Sequence, residues 1–454
     1  MSDRLTLTYG LRWEVNPAVK GINGSTVYAV TDLDHPAQLQ LAPVGTPLYQ
    51  TTFANIAPRL GISYRLRSSP GKETVIRGGV GRFYDTGFGL TGGVSSEFPN
   101  YPYNNYKGTA YPLLPAQAAI PPYSTSYPVT EILVADPHLQ LPRTDQWNLT
   151  VEQGLGQAQS VSVTYAAALG RKLLRNEYLI DPNEKFTYVL AVRNGATSDY
   201  HSLQLRFQRR LSRGLQALAS YTWAHSIDLA SNDAEWGHIP LGDHDPNQDR
   251  GSSDFDIRHA LRAAVTWTVP APLGPRLRPF LSGFSLDSIL TLRSATPVDL
   301  IGGIAYLRYL VNTRPDRAPN QPLYIHDASA AGGRRLNPEA FLPTPVDDYY
   351  SAVRQGTLGR NVVRGFGLSQ LDLAVRREFR LAERATLQFR AEAFNLVNHP
   401  NFANPEADLA SGLFGISTQM LGRGLGSGGP TSGLTPLYQV GGPRSLQLAL
   451  RLRF

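Results

Sequence analysis

The sequence predicts an all-β fold, a transmembrane antiparallel up-and-down β-barrel, and three observations predict it. The chain closes on an alternating stretch, Arg444 to Phe454. Leu446, Leu448, Leu450, Leu452 and Phe454 share one face of that stretch, and Ser445, Gln447, Arg451 and Arg453 the other. Apolar toward lipid and polar toward a lumen is the dyad of a membrane-spanning strand, which needs about 9 to 11 residues. No run of about 18 apolar residues occurs anywhere, so helical spans are excluded and only a barrel places this chain in a bilayer. The third observation is the alternation of short turns with long loops between candidate strands, the asymmetry of outer-membrane meanders.

In order, Arg4 to Val15 sets Leu5, Leu7, Tyr9, Leu11 and Trp13 against Thr6, Thr8, Arg12 and Glu14. A long polar segment leads to Arg59–Arg67, where Leu60, Ile62, Tyr64 and Leu66 oppose Ser63, Arg65 and Arg67. The Ser68 to Lys72 turn returns the chain into Glu73–Thr86, whose glycines blur the register. From Gly87 to Leu141 neither period is present, and the Tyr, Pro, Gly and Asn content reads as a large loop. Strands resume at Asp145–Leu155 and Gln159–Gly170 and, after a loop, at Tyr200–Leu211 and Leu215–Ile227. The acidic Asp228–Asp254 loop precedes Phe255–Val269, a Pro-rich turn and Phe284–Thr296. The longest connection, Pro297 to Gly365, leads to Leu368–Leu381, Ala385–Asn398, a Gly-, Ser- and Pro-rich loop and the closing strand.

Composition narrows the function. The net charge is +7, but the basic residues are scattered singly through strands, which argues against nucleic acid as a partner. The absence of Cys removes disulfides and thiolate metal sites. Ser, His and Asp are plentiful, yet no nucleophile elbow links them, so no enzyme activity is expected. The acidic segment, with Asp233, Glu235, His238, Asp243, His244, Asp245, Asp249 and Asp254, matches neither an EF-hand nor a His-Glu-x-x-His pattern and reads as a solvated loop. Neither metal nor cofactor is expected.

Several stretches carry a family resemblance: Ser253-Asp254-Phe255-Asp256-Ile257-Arg258-His259, Thr313-Arg314-Pro315-Asp316, Gly356-Thr357-Leu358-Gly359-Arg360-Asn361, Leu371-Asp372-Leu373, and above all Arg390 through Phe394-Asn395-Leu396-Val397-Asn398-His399-Pro400-Asn401-Phe402. They resemble the barrel of Oar-like TonB-dependent outer-membrane transporters, and the resemblance covers essentially the whole chain. It implies a signal peptide, often a carboxypeptidase-regulatory-like domain, and a plug before the barrel. None of these is found here, because Met1-Ser2-Asp3 leads straight into a strand. Barrels of this kind have about 22 strands, so twelve correspond to the C-terminal half, and residues 1–454 are expected to form a partial barrel domain.

The resemblance implies a bacterial outer-membrane location and uptake of a solute, with outer-membrane lipid and the barrel assembly machinery as partners and TonB engaged only through the missing plug. The chain alone is therefore not expected to be energised. Leu448, Leu450, Leu452 and Phe454 resemble the assembly signal, and their lipid-facing hydrophobicity is compatible with that role. Arg12, Arg65, Arg206, Asp372, Arg376, Arg390, Glu392 and Arg451 are the candidate lumen-lining residues, expected mainly as cross-strand ion pairs. Tyr101, Tyr103 and Tyr106 are candidate extracellular ligand contacts. The alternative is a surface adhesion or structural barrel that binds a partner through its long loops.

Overall fold

The computed structural model describes residues 4–18, 28–85, 94, 107–119, 129–231, 246–269, 283–302, 305–306, 311–347, 352, 354–424 and 440–454. Twelve strands pair in chain order along one antiparallel path. They are β1 (Leu5–Glu14), β2 (Asn55–Arg67), β3 (Thr74–Tyr84), β4 (Arg143–Gly154), β5 (Gln159–Asn183) and β6 (Phe186–Ser212). The path continues through β7 (Leu215–Asp228), β8 (His259–Thr268), β9 (Phe284–Arg293), β10 (Leu368–Ala382), β11 (Ala385–Phe394) and β12 (Ser445–Arg453). Among the described residues β1 pairs only with β2 and β12 only with β11, which leaves the sheet two open edges.

Residues directly opposite in antiparallel strands share a face. One row runs Leu7, Ile62, Gly78, Leu149, Tyr165, Leu203 and Trp223 from β1 to β7. The row on the other face runs Ser63, Arg77, Thr150, Thr164, Gln204 and Thr222. Among the described residues nothing covers this row: Leu7 is 57% and Leu149 54% exposed. A soluble sheet buries such a face.

The buried apolar core lies instead among the long connections. Val30, Leu33, Leu39, Ile132, Leu179, Phe186 and Val189 form one cluster, and Val298, Leu300, Leu336, Phe341, Val363 and Phe414 another. The first is built on β5 and β6, which at 25 and 27 residues outrun the roughly 9 to 11 needed to cross a bilayer. A register shift between Gly170 and Leu173, with Lys172 at φ 56°, separates the part in step with the sheet from the extension. Val129–Ala135 adds to the extension as a parallel strand beside β6.

The structure departs from the sequence expectations at four places. Residues 171–199, expected as a loop, are strand on both sides of the Glu184-Lys185 turn. Their faces are both covered, so the period-two polarity that betrays a half-buried strand is missing. Within the expected 87–141 loop, Val129–Ala135 is a strand for the same reason. Phe255 and Ile257 precede β8 rather than belonging to it, because Asp256 is drawn into a buried ion pair. β11 ends at Phe394, since Asn395 and Asn398 take φ values of 47° and 54° and the Asn395 side chain bonds the His399 N–H at 3.0 Å.

The short turns are tight. Arg213 and Gly214 both have positive φ (52° and 76°), as a two-residue hairpin turn between twisted strands requires. A Cβ on Gly214 would stand 2.4 Å from the Thr268 carbonyl oxygen. The Pro-rich turn after β8 lies outside the described residues.

Candidate functional site

The polar face carries a ladder of ion pairs. Arg77 pairs there with Glu152, whereas Arg82 grips Asp145 through Nε at 2.7 Å and Nη2 at 3.1 Å on the opposite face, the face of Val80 and Trp147. Arg376 reaches Asp287 at 2.9 Å, and that carboxylate also accepts from the Thr266 hydroxyl at 2.8 Å. Arg390 pairs with Glu392 at 2.6 Å, and Arg12 with Glu14. Other candidates are engaged differently. Arg206 donates to Gln208 at 3.4 Å, Arg65 stands opposite Val75, and Arg451 opposite Gln388. Asp372 accepts from the Asn395 N–H at 2.8 Å and from Gln370 at 2.9 Å, which ties the end of β11 to β10.

Where the long loops meet the sheet, a second and more buried network gathers residues far apart in sequence. Arg360 donates through Nη2 to the carbonyl of Asp228 at 2.9 Å, through Nε to the carbonyl of Asp249 at 2.9 Å, and pairs with the Asp228 carboxylate. Arg314 reaches Asp249 at 2.9 Å and the Leu358 carbonyl at 3.1 Å. Asn361 donates to Asp254 at 2.6 Å and to the Ser252 carbonyl at 2.7 Å. Arg364 grips Asp256 at 2.6 Å and its carbonyl at 2.9 Å.

Burial pushes the Asp256 carboxyl up, but hydrogen bonds from Arg364, the Ser226 N–H and His225 more than offset it and hold the group below the usual carboxylate range. Further out, the Arg354 guanidinium bonds both oxygens of Asp316, at 2.8 and 2.7 Å, and holds that carboxyl low as well. Such networks hold because almost every charge has a partner and a hydrogen bond; an unpaired charge here would cost several kcal/mol.

The acidic segment is thus not simply a solvated loop. Asp228, Asp249 and Asp256 are buried and taken up by arginines, and Asp254 is bonded by Asn361. Asp233, Glu235, His238, Asp243, His244 and Asp245 lie outside the described residues, as do Tyr101, Tyr103 and Tyr106. Among the described residues no three acidic, His or Cys side chains are grouped to hold a metal.

A family described as the outer membrane beta barrel domain matches residues 1–425. The chain belongs to this outer-membrane β-barrel family. Its location is the bacterial outer membrane.

The barrel chain is also similar to solved transporters. The outer membrane transporter YddB from Escherichia coli is 12% identical with a TM-score of 0.48, over 89% of this chain and 41% of that one. The pyoverdine receptor FpvA from Pseudomonas aeruginosa PAO1 is 9% identical with a TM-score of 0.45, over 100% and 40%. The FrpB iron transporter from Neisseria meningitidis is 9% identical with a TM-score of 0.45, over 100% and 43%. The chain spans less than half the length of each. No curated protein matches it.

The motifs that carried the resemblance meet in the structure. Asp254 and Asp256, Arg314, and Arg360 with Asn361 come from three of them and converge in the loop-end network. Sequence reasoning missed Arg175 and Glu177, a pair bonded at 2.7 Å and almost wholly buried, and Arg193, which reaches Asp34, Asp136 and Glu177. The signal available was an Arg-Asn-Glu flanked by Leu173-Leu174 and Tyr178-Leu179, charge inside a strand apolar on both faces.

Proposed function

We propose that this outer-membrane barrel is the wall of a TonB-dependent transporter of the Oar-like kind, which captures a solute at its loop end and passes it along the polar face. The observation that carries this reading is the pair of edges, on β1 and β12, that stay open among the described residues. In lipid, unpaired backbone groups cost several kcal/mol each, so a sheet with two free edges calls for further strands to close it. A barrel of about 22 strands around a plug meets that need.

The loop-end network supports capture. It holds Asp228, Asp249 and Asp256 to Arg360, Arg314 and Arg364, which fixes long loops in one arrangement over the end of the polar face. A fixed arrangement lowers the ordering cost of binding a solute. The plug and its TonB contact supply energy in this reading, so cells producing these 454 residues alone are expected to show no TonB-dependent uptake. Energised uptake by the chain alone would overturn the assignment.

A further inference from the structure

We infer that the loop end of β9 and β10 holds a binding site for a small planar organic anion, such as an aromatic carboxylate, centred on Arg293. A cavity of about 400 Å³ opens there, lined by Arg293, Phe366, Ser369, His399 and Phe402 with Gly332, Gly367, Leu368 and Pro400. That volume falls within the range of small-molecule pockets, about 300–1,000 Å³.

The charge on Arg293 has no counter-charge among the described residues. Among the described residues six arginines have a buried guanidinium nitrogen without a hydrogen bond: Arg143, Arg175, Arg293, Arg335, Arg376 and Arg377. Four of these have a carboxylate nearby: Arg143 by Asp145 at 3.9 Å, Arg175 by Asp249 at 3.9 Å, Arg335 by Asp327 at 3.3 Å and Arg376 by Asp287 at 2.9 Å. Arg377 lies over the rings of Phe284 and Phe379. Among the described residues Arg293 has neither a carboxylate nor a ring as partner, and the neighbouring charge that acts on it is Arg262, of the same sign. A partly buried cation whose Nε has no partner is costly, and an anion from solution is the group that relieves it.

The rest of the cavity specifies what accompanies the negative charge. No carboxylate lines it. Phe366 and Phe402 meet edge to face with centroids 5.3 Å apart, and Arg334 covers Phe366 at 4.8 Å. Gly332 lets the Phe366 ring lie against the backbone, since a Cβ there would stand 2.6 Å from Cε1. Two rings beside a planar guanidinium fork suit a flat apolar body bearing a carboxylate: the fork takes both oxygens and the rings take the body. His399 contacts the Asn401 Oδ1 through Nδ1 at 3.3 Å, which fixes the ring on the cavity wall.

The site deepens the uptake reading by naming a ligand class. Its test is nevertheless independent of transport. The full chain, folded into detergent, is titrated calorimetrically with benzoate and separately with inorganic phosphate. Benzoate is expected to bind saturably, and phosphate about tenfold or more weaker. Arg293→Gln should weaken benzoate about tenfold or more, and Phe402→Leu should weaken benzoate while leaving phosphate unchanged.

Arg384→Gln, in the short turn after β10, should change neither, and strand circular dichroism confirms that each variant is folded. Should Arg293→Gln fail to fold, Arg293→Lys replaces it; it keeps the charge, loses the fork, and is expected to weaken benzoate. Absence of saturable benzoate binding by the folded chain, equal affinity in the Arg293 variant, or phosphate binding as tightly as benzoate overturns the site. Benzoate binding without any solute uptake by a completed transporter would leave the site standing and remove the transport reading instead.

Discussion

Arg360 bonds both the carbonyl and the carboxylate of Asp228, 132 positions earlier in the chain, and neither side chain is more than 8% exposed. This pair joins the end of β7 to the longest connection, so the loops over the polar face stand or fall together. Removing one partner of a buried pair typically costs about 3–5 kcal/mol. Arg360→Ala is therefore expected to open the loop layer to protease while the strands stay inserted, with cleavage in the connection between β9 and β10. Unchanged cleavage rates would show that the pair does not hold the layer.

Low pH should loosen the same layer. Asp256 and Asp316 have folded-state pKa values below those of the unfolded chain. Their stabilisation is fully present above the ordinary carboxylate value of about 3.9. It is lost as the pH falls through the lower folded values. Loop proteolysis by an acid-active protease should stay flat from neutral pH to about 4 and rise below it. Asp256→Asn should raise it at neutral pH and flatten the profile.

The open edges allow a direct measurement. The chain has no native Cys, so cysteine pairs scanned along β1 and β12 report on each other cleanly. In the closure proposed above, no pair within one molecule forms a disulfide in membranes. A ladder of disulfides between β1 and β12 would mean that the twelve strands close on themselves.

Lipid exposure of the apolar face is checked by substituting it. Leu149→Arg should cost about 2–4 kcal/mol if the residue lies near the bilayer midplane, read as a lower urea midpoint for folding into lipid. Thr150→Arg, one residue on and facing the polar side, should cost far less.

Phe454 separates assembly from packing. It is 95% exposed, so deleting it removes almost no contact within the chain. We expect normal folding into detergent from urea but a reduced inserted fraction in cells, the result an assembly signal requires. Equal loss in both assays would reduce Phe454 to lipid-facing hydrophobicity.

The sequence by itself determined the membrane-facing sheet. Strands such as β1 and β12 alternate because each face meets a different medium, and the alternation is local and legible in Leu446, Leu448, Leu450 and Leu452. Turn chemistry such as Arg213-Gly214 was legible for the same reason. Strand where both faces are covered was not, as in Val129–Ala135 and the Leu173–Val192 extension, because burial on both sides erases the period. Nor did the sequence disclose that the acidic segment meets Arg314, Arg360 and Arg364, or that Arg293 meets no counter-charge among the described residues. Charge pairing over a hundred residues is a property of distance in space, and only the tertiary structure decides it.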